Sequence, residues 1–189
     1  MISTTREKII QGAIQVVSTN GYSGATSRAI AAEAGVNQAL VYYHFAGVDD
    51  LLVTALDEFG SRRLERYTAI VDAAATLDEL VDAAEAIYRL DRRSGHVTFV
   101  SQLVAGSATN PELASAVLER LEPWIALSER AFTKALAQTP FADLPVRELA
   151  YAVVTYYLGL NMLTHLDPRR ARADALLSSL RELLVAFEH

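Results

Sequence analysis

Residues 26–45, TSRAIAAEAGVNQALVYYHF, constrain the fold more than any other part of the chain. Thr26 can cap a helix, because its hydroxyl can accept a hydrogen bond from one of the open backbone N–H groups of a first helical turn. Gly35 can take the left-handed conformation that ends a helix, and Asn37 can cap the helix that follows. The pattern predicts two short helices joined by a tight turn.

The second of these helices is predicted to have an inward and an outward face. Val36, Val41 and Phe45 recur at near-helical spacing and would turn inward. Four other side chains then share the outward face, which carries no acid: Gln38, Ala39, Tyr42 and Tyr43. A glutamine can pair with an adenine edge, an alanine can touch a thymine methyl, and a tyrosine hydroxyl can donate to a phosphate. The face suits a DNA groove, but the pattern alone fits equally well a helical hairpin whose tyrosines are half-buried in a core.

Motifs across the stretch from Arg6 to Leu52 are more specific. They are Asn20-Gly21-Tyr22, Thr26, Ile30-Ala31, Ala34-Gly35-Val36, Val41-Tyr42, His44-Phe45 and Leu51-Leu52. With these motifs in this order, about a quarter of the chain resembles the TetR (tetracycline-repressor-like) family of bacterial transcription regulators. The resemblance implies a helix-turn-helix whose recognition helix is about 37–43, with Tyr42 on the DNA backbone. The expected DNA-binding residues are Thr26, Ser27, Arg28, Asn37, Gln38, Ala39, Tyr42, Tyr43 and His44.

Two basic residues that are usual in the family are absent. Val48 stands where the resemblance leads us to expect a lysine that contacts a phosphate, and Gln38 and Ala39 occupy positions where a basic residue is common. We therefore expect DNA binding to persist with a weaker electrostatic part.

The charge of the chain supports local rather than general DNA binding. Residues 1–48 hold three basic and two acidic side chains, whereas the remainder holds 14 basic and 21 acidic ones. The acidic remainder should repel DNA, so binding must depend on a small face, which favours selective binding. A chromatin-coating or RNA-binding role is not expected.

Composition predicts an all-α protein. Hydrophobic residues make up 51% of the chain, apolar residues recur with helical period almost throughout, and only five prolines and nine glycines occur among 189 residues. We expect a three-helix DNA-binding head with a helix-turn-helix at 1–47, packed on a larger helical body for effector binding and dimerisation at 48–189. Further helices are expected at 48–70, 77–91, 96–107, 111–138, 146–166 and 170–187.

Several classes of protein are disfavoured. The chain has no cysteine, no evident signal peptide and no apolar run of membrane-spanning length, so we expect a cytoplasmic protein with no membrane partner. Its four histidines are isolated, and no phosphate-binding loop or serine elbow occurs, so an enzyme is not expected, nor is a cofactor or a metal site.

Two helices are the best candidates for a homodimer interface. Residues 149–163 are apolar nearly all round, and the last helix presents a broad leucine face. A two-fold pair of these helices would form a four-helix interface, which the resemblance also implies, with Gly159 allowing close approach. The expected interface residues are Leu149, Val153, Tyr157, Leu160, Leu176, Leu180 and Leu184. The alternative is that both helices only close the core of one chain.

The middle of the chain should bind an effector. Polar or aromatic side chains set among apolar ones are the candidates, although side chains of this kind more often belong to a core or an interface: Tyr88, His96, Phe99, Gln102, Trp124, Phe132, Tyr156 and Asn161. Such a pocket favours a small, mostly apolar molecule with one or two hydrogen-bonding groups.

Together these features predict a ligand-responsive transcriptional regulator, most simply a repressor, that forms a homodimer and is released from a palindromic double-stranded DNA operator by a small effector of unknown identity. The alternative is a helical dimeric adaptor or ligand-binding protein whose DNA binding is weakened.

Overall fold

The computed structural model describes residues 4–91 and 95–164, together with Ala175, Ser179 and Glu182. This described part is all-α, as predicted, with no strand and a single 3₁₀ turn at Tyr22–Gly24. Its helices are α1 (Thr5–Asn20), α2 (Ser27–Ala34), α3 (Gln38–His44), α4 (Val48–Ala73), α5 (Leu77–Asp91), α6 (His96–Ser107), α7 (Pro111–Leu136) and α8 (Val146–Thr164). The helix expected at 170–187 lies almost wholly outside the described residues.

Backbone contacts divide the chain into two compact units. The first contains Met1–Arg63 and Gly95–Leu121, and the second contains Leu64–Ser94 and Glu122–His189. The first unit therefore groups α6 with the three N-terminal helices. The functional boundary between residues 47 and 48 stays a prediction.

The first unit is built around α1. Thr4 and Glu7 form a capping box: the Thr4 hydroxyl accepts from the Glu7 N–H at 3.2 Å, and the Thr4 N–H donates to the Glu7 carboxylate at 2.8 Å. Gly12 lies where α1 meets α2, because a Cβ there would come within 3.1 Å of Ala34. The side chains that form the centre of this unit are fully buried: Ile9, Ile10, Val17, Ile30, Val41, Leu51, Leu52, Phe99 and Leu103.

The second unit contains two smaller buried clusters. One joins α4 and α7 through Tyr67, Val71, Leu127 and Ala131. The other joins α5 and α8 through Tyr88 and Leu160, with Tyr156 and Tyr157 packed against them. Aromatic and aliphatic side chains from four helices thus form the interior of this unit.

Among the residues described, no single helix is both long and apolar enough to cross a membrane, although α3 and α4 taken together, across a bend of 68°, meet the same length and composition test.

Candidate nucleic-acid interface

The turn between α2 and α3 has the geometry that the sequence predicts. Gly35 adopts the left-handed conformation with a φ of 64°, and the Val36 N–H donates to the Ala31 carbonyl at 3.0 Å. The Thr26 hydroxyl accepts from the Ala29 N–H at 3.1 Å, and the Asn37 side-chain oxygen accepts from the Ala39 N–H at 2.9 Å. Both helices therefore begin at a capped residue, and the chain reverses between them in the manner of a helix-turn-helix.

The two faces of α3 are also as predicted. Val41 and Phe45 are buried, whereas Val36, just before α3, is half-buried. Gln38, Ala39, Tyr42 and Tyr43 are exposed, with Tyr42 at 59% and Tyr43 at 80%. Exposure of two large phenols on one short helix is unusual for a helix that serves only the core, so the half-buried alternative does not hold.

The base of α3 is held by an aromatic and ionic contact. The Arg6 guanidinium lies 5.4 Å from the centre of the Phe45 ring and forms an ion pair with Glu58. Arg6 therefore stabilises the first unit, and its charge is offset by Glu58.

Ser27 occupies a different environment from the other predicted DNA-binding residues. It is only 7% exposed. Its hydroxyl accepts a hydrogen bond from Gln38 Nε2 at 2.8 Å and lies 2.9 Å from the hydroxyl of Tyr42. The buried Ser27 hydroxyl is thus within hydrogen-bonding distance of two outward residues of α3.

The remaining predicted DNA-binding residues belong to α2, to α3 and to the residues that cap these helices. Thr26, Arg28 and Asn37 are exposed, and His44 is half-buried with its ring edge-on to that of Tyr43 at 5.0 Å. Within the described residues, Arg28 forms no ion pair, so its charge is available to a phosphate. The structure therefore brings the predicted residues of α2 and α3 to one region.

The start of α4 is anchored by carboxylates. Asp49 accepts hydrogen bonds from the Tyr22 hydroxyl and from the Asn110 side-chain amide, both at 2.9 Å. Asp50 accepts from the Ala46 N–H at 2.9 Å. Burial raises the pKa of Tyr22 above its ordinary value; the hydrogen bond with Asn110 opposes this shift, and the neighbouring Asp49 carboxylate adds to it. Tyr22 and Asp49 were not among the predicted site residues, although the Asn20-Gly21-Tyr22 motif indicated the first of them.

The eight predicted effector residues are divided between the two units. His96, Phe99 and Gln102 belong to the first unit, where Phe99 is fully buried in the core; nothing is described of the His96 side chain. The others belong to the second unit: Tyr88, Trp124, Phe132, Tyr156 and Asn161. Five of the eight predicted effector residues therefore share one unit.

Within the second unit, three of these residues have defined surroundings. The Trp124 ring lies edge-on to Tyr67 at 5.8 Å, and the Asn161 amide donates to the Tyr157 carbonyl at 2.8 Å. The Tyr156 hydroxyl is buried and forms no hydrogen bond within the described part of the chain. Its pKa is raised by burial and then by the nearby Tyr88.

Asp91 is a further buried group in the second unit that the sequence predictions missed. It is 5% exposed and accepts hydrogen bonds from the hydroxyls of Tyr67 and Tyr157. Its spacing of three residues from the buried Tyr88 on α5 placed it on the inward face, and that spacing was the available signal.

The predicted dimer residues differ in their environment. Leu160 is 8% exposed and packs on Tyr88, and Tyr157 binds Asp91, so both contact the chain's own interior. Val153 is exposed and Leu149 is half-buried. Leu176, Leu180 and Leu184 lie outside the described residues. On α8 the large exposed side chains also include three that the interface prediction omitted: Tyr151, Met162 and Leu163.

Comparison with known proteins agrees with this geometry. Residues 9–55 match the family model described as bacterial regulatory proteins, tetR family. The HTH-type transcriptional regulator UidR of Escherichia coli is 25% identical over 59% of this chain, and the match spans 56% of the length of UidR. The fatty acid metabolism regulator protein of Bacillus subtilis is 25% identical over 96% of this chain and 94% of its own length.

Solved structures show the same fold. The transcriptional regulator FadR from Bacillus subtilis, in complex with stearoyl-CoA, superposes with a TM-score of 0.78 at 22% identity, covering 94% of this chain and 96% of that one. The capped helix-turn-helix, the family match over residues 9–55 and the regulators among its relatives lead to one conclusion. Residues 9–55 form the DNA-binding domain of the TetR family of bacterial transcriptional regulators, and the curated relatives that the chain matches are themselves transcriptional regulators.

Proposed function

We propose that this protein is a homodimeric repressor that binds a palindromic operator and leaves it when a small, mostly apolar effector occupies the second unit. It would act in the cytoplasm, on chromosomal DNA. The outward face of α3 is the observation that carries this proposal.

That face supports sequence-specific binding because its side chains have complementary roles. Tyr42 can donate to a phosphate and fix the position of the helix, since phosphate contacts carry no sequence information. Gln38 can read an adenine edge, and Ala39 can contact a thymine methyl. Arg28 supplies a charge at the start of α2. A single short helix of this kind reads few base pairs, which supports pairing of two heads about 34–36 Å apart on a palindrome.

Features of the second unit support a mostly apolar effector that carries a hydrogen-bonding group. Its interior is formed by apolar and aromatic side chains, and the buried Tyr156 hydroxyl has no hydrogen-bond partner among the described residues. A buried hydroxyl without a partner costs about 1–3 kcal/mol, so a ligand that bonds to it would bind more tightly. The relative that matches over 96% of this chain is named a fatty acid metabolism regulator, and the structurally similar FadR of Bacillus subtilis was solved with stearoyl-CoA. A long-chain acyl thioester is therefore the first effector to test.

Release requires that the effector prefer a conformation in which the two recognition helices leave their one-turn spacing, because only a difference in affinity between conformations can shift their populations. A coupling free energy of about 1–3 kcal/mol would lower operator affinity about 5- to 150-fold.

Selection of bound sites from random DNA tests the DNA-binding part. We expect a palindromic site, and we expect Gln38→Ala to reduce the preference at one base pair per half-site by about 1–3 kcal/mol. Tyr42→Phe should weaken binding to all sequences similarly. The absent basic residues favour the alternative of a helical dimeric adaptor with weakened DNA binding. Failure of the wild-type protein to enrich any sequence above competitor DNA would support that alternative and reject the repressor.

Retention of labelled operator in the presence of stearoyl-CoA tests the effector class. We expect dose-dependent release of the operator, and we expect Tyr156→Phe to weaken this release. Because the substitution removes an unsatisfied hydroxyl, it should leave the free energy of unfolding unchanged or slightly increased. Coenzyme A without the acyl chain is the matched control ligand. Equal release by both compounds would mean that the acyl chain is not recognised.

A further inference from the structure

We infer that Ser27 is a positioning residue that orients Gln38 and Tyr42 for DNA, and that its hydroxyl does not contact DNA itself. This inference rests on the proposed sequence-specific DNA binding and assigns Ser27 a role in it. The burial of Ser27 is the first support, because a side chain that is 7% exposed presents almost no surface to a groove.

The amide of Gln38 is oriented by this contact. One of its two N–H groups donates to the Ser27 hydroxyl at 2.8 Å. The second N–H and the carbonyl oxygen of the amide remain, and together they are the donor and acceptor that bidentate pairing with adenine requires. Without Ser27, the amide could rotate by half a turn or adopt other side-chain rotamers, and this freedom would have to be lost on binding.

The Ser27 hydroxyl also sets the direction in which the Tyr42 hydroxyl proton points. Since the Ser27 oxygen already accepts from Gln38, its own proton can be donated to the Tyr42 oxygen 2.9 Å away. The Tyr42 proton is then free to point outward to a phosphate oxygen. Hydrogen bonds in such a chain polarise one another, so Gln38, Ser27 and Tyr42 act together. Ser27 thereby couples the residue that reads a base to the residue that holds the backbone.

The test is a double-mutant cycle between Ser27 and Gln38, read by operator binding and by site selection. Ser27→Ala should reduce the preference at the base pair read by Gln38 by about 2- to 10-fold, which is the effect of losing one hydrogen bond. In a Gln38→Ala background, Ser27→Ala should cause no further loss of preference at that base pair. Ser27→Thr keeps the hydroxyl and should retain the wild-type preference at that base pair.

Two variants separate positioning from a purely structural role. Ser27→Cys retains the size of the side chain but is a weak hydrogen-bonding group, so it should lose preference while unfolding at nearly the wild-type temperature. Ser101→Ala is the matched control, because Ser101 is a buried serine of the first unit whose hydroxyl has no hydrogen-bond partner among the described residues. It should leave the preference unchanged.

The outcomes are distinct. Ser27→Ala and Ser27→Cys could lower affinity for operator and for random DNA equally, and by the same factor in a Gln38→Ala background. In that case Ser27 acts on the backbone contact or on the fold, and the positioning role is wrong. If they change neither, the inference is equally wrong. If the wild-type protein itself shows no sequence preference, the proposed function fails, and this result differs from both.

Discussion

At the scale of single residues, the helices of the proposed DNA-binding surface carry few charges that could contact a phosphate. Arg6 is paired with Glu58, whereas Lys8 and Arg28 are exposed. Val48 is half-buried at the start of α4, where the family resemblance leads us to expect lysine. The free energy of binding should therefore depend on salt less steeply than in relatives that carry this lysine.

We predict that Val48→Lys adds a phosphate contact. The ammonium should release about one more condensed counterion per half-site and steepen the slope of log affinity against log salt by roughly 0.9 per half-site. Affinity should rise for operator and random DNA alike. Titrations at several salt concentrations measure the slope, and Val48→Met controls for the change of shape. An unchanged slope together with a lower melting temperature would place residue 48 in the core instead.

At the scale of helices, one junction in the first unit joins four segments. The Tyr22 ring, in the 3₁₀ turn after α1, lies against Gly106 of α6, and its hydroxyl binds Asp49 of α4. Asp49 also binds Asn110, whose side-chain oxygen accepts from the Leu113 N–H at 3.1 Å at the start of α7. A change at Asn110 or Gly106 should therefore alter the contacts at the start of α4, which follows α3.

We predict that Gly106→Ala destabilises the first unit by about 1–3 kcal/mol, because the added Cβ would overlap the Tyr22 ring. Chemical unfolding monitored by circular dichroism gives the change. Gly60→Ala is the matched control: Gly60 is also helical, its Cβ would meet nothing within 4 Å, and the substitution should stabilise by about 0.5–1 kcal/mol. A similar loss of stability in a Tyr22→Ala background would show that the overlap is not the cause.

We predict that the first unit loses stability in alkaline solution. The raised pKa of Tyr22 means that the folded state holds this proton more tightly than the unfolded chain does. The associated stability is present below the ordinary tyrosine pKa of about 10 and is lost as the pH rises through the folded value. Tyr22→Phe should flatten the decline of unfolding free energy above about pH 10. A decline identical to that of the wild type would assign the alkaline loss to other groups.

At the scale of the whole molecule, α8 carries the surface that an assembly would cover. Tyr151, Thr155, Gly159 and Met162 follow one another at helical spacing along one side, and Tyr151 is 56% exposed. A Cβ at Gly159 would meet nothing within 4 Å in the chain itself. Such a strip of exposed apolar and small residues is typical of an interface between helices, and it supports the proposed homodimer better than Leu160, which faces inward.

We predict opposite effects of Gly159→Ala on folding and on association. In the single chain, alanine should favour the helix by about 0.5–1 kcal/mol. In the dimer, the added methyl should hold the two α8 helices apart and weaken association. Sedimentation at several concentrations, together with unfolding, separates the two effects, and Gly60→Ala again serves as control. A dimer that forms equally well with Gly159→Ala and with Tyr151→Lys would exclude this side of α8 from the interface.

The sequence by itself determined the local structure of the helix-turn-helix formed by α2 and α3. The caps at Thr26 and Asn37 and the left-handed turn at Gly35 depend on interactions within a few residues, so their residue types were sufficient to predict them. Helical period likewise predicted the exposed face of α3 and most helix limits, including α6 at His96–Ser107.

Only the tertiary structure decided which distant residues meet. The bond between Ser27 and Gln38, the junction of Tyr22, Asp49 and Asn110, and the burial of Asp91 between Tyr67 and Tyr157 all join separate helices. The same holds for α8, which is apolar nearly all round, so that its hydrophobic pattern could not distinguish the inward Leu160 from the exposed Tyr151. Periodicity specifies the faces of a helix, but the packing of the other helices decides which of those faces is covered.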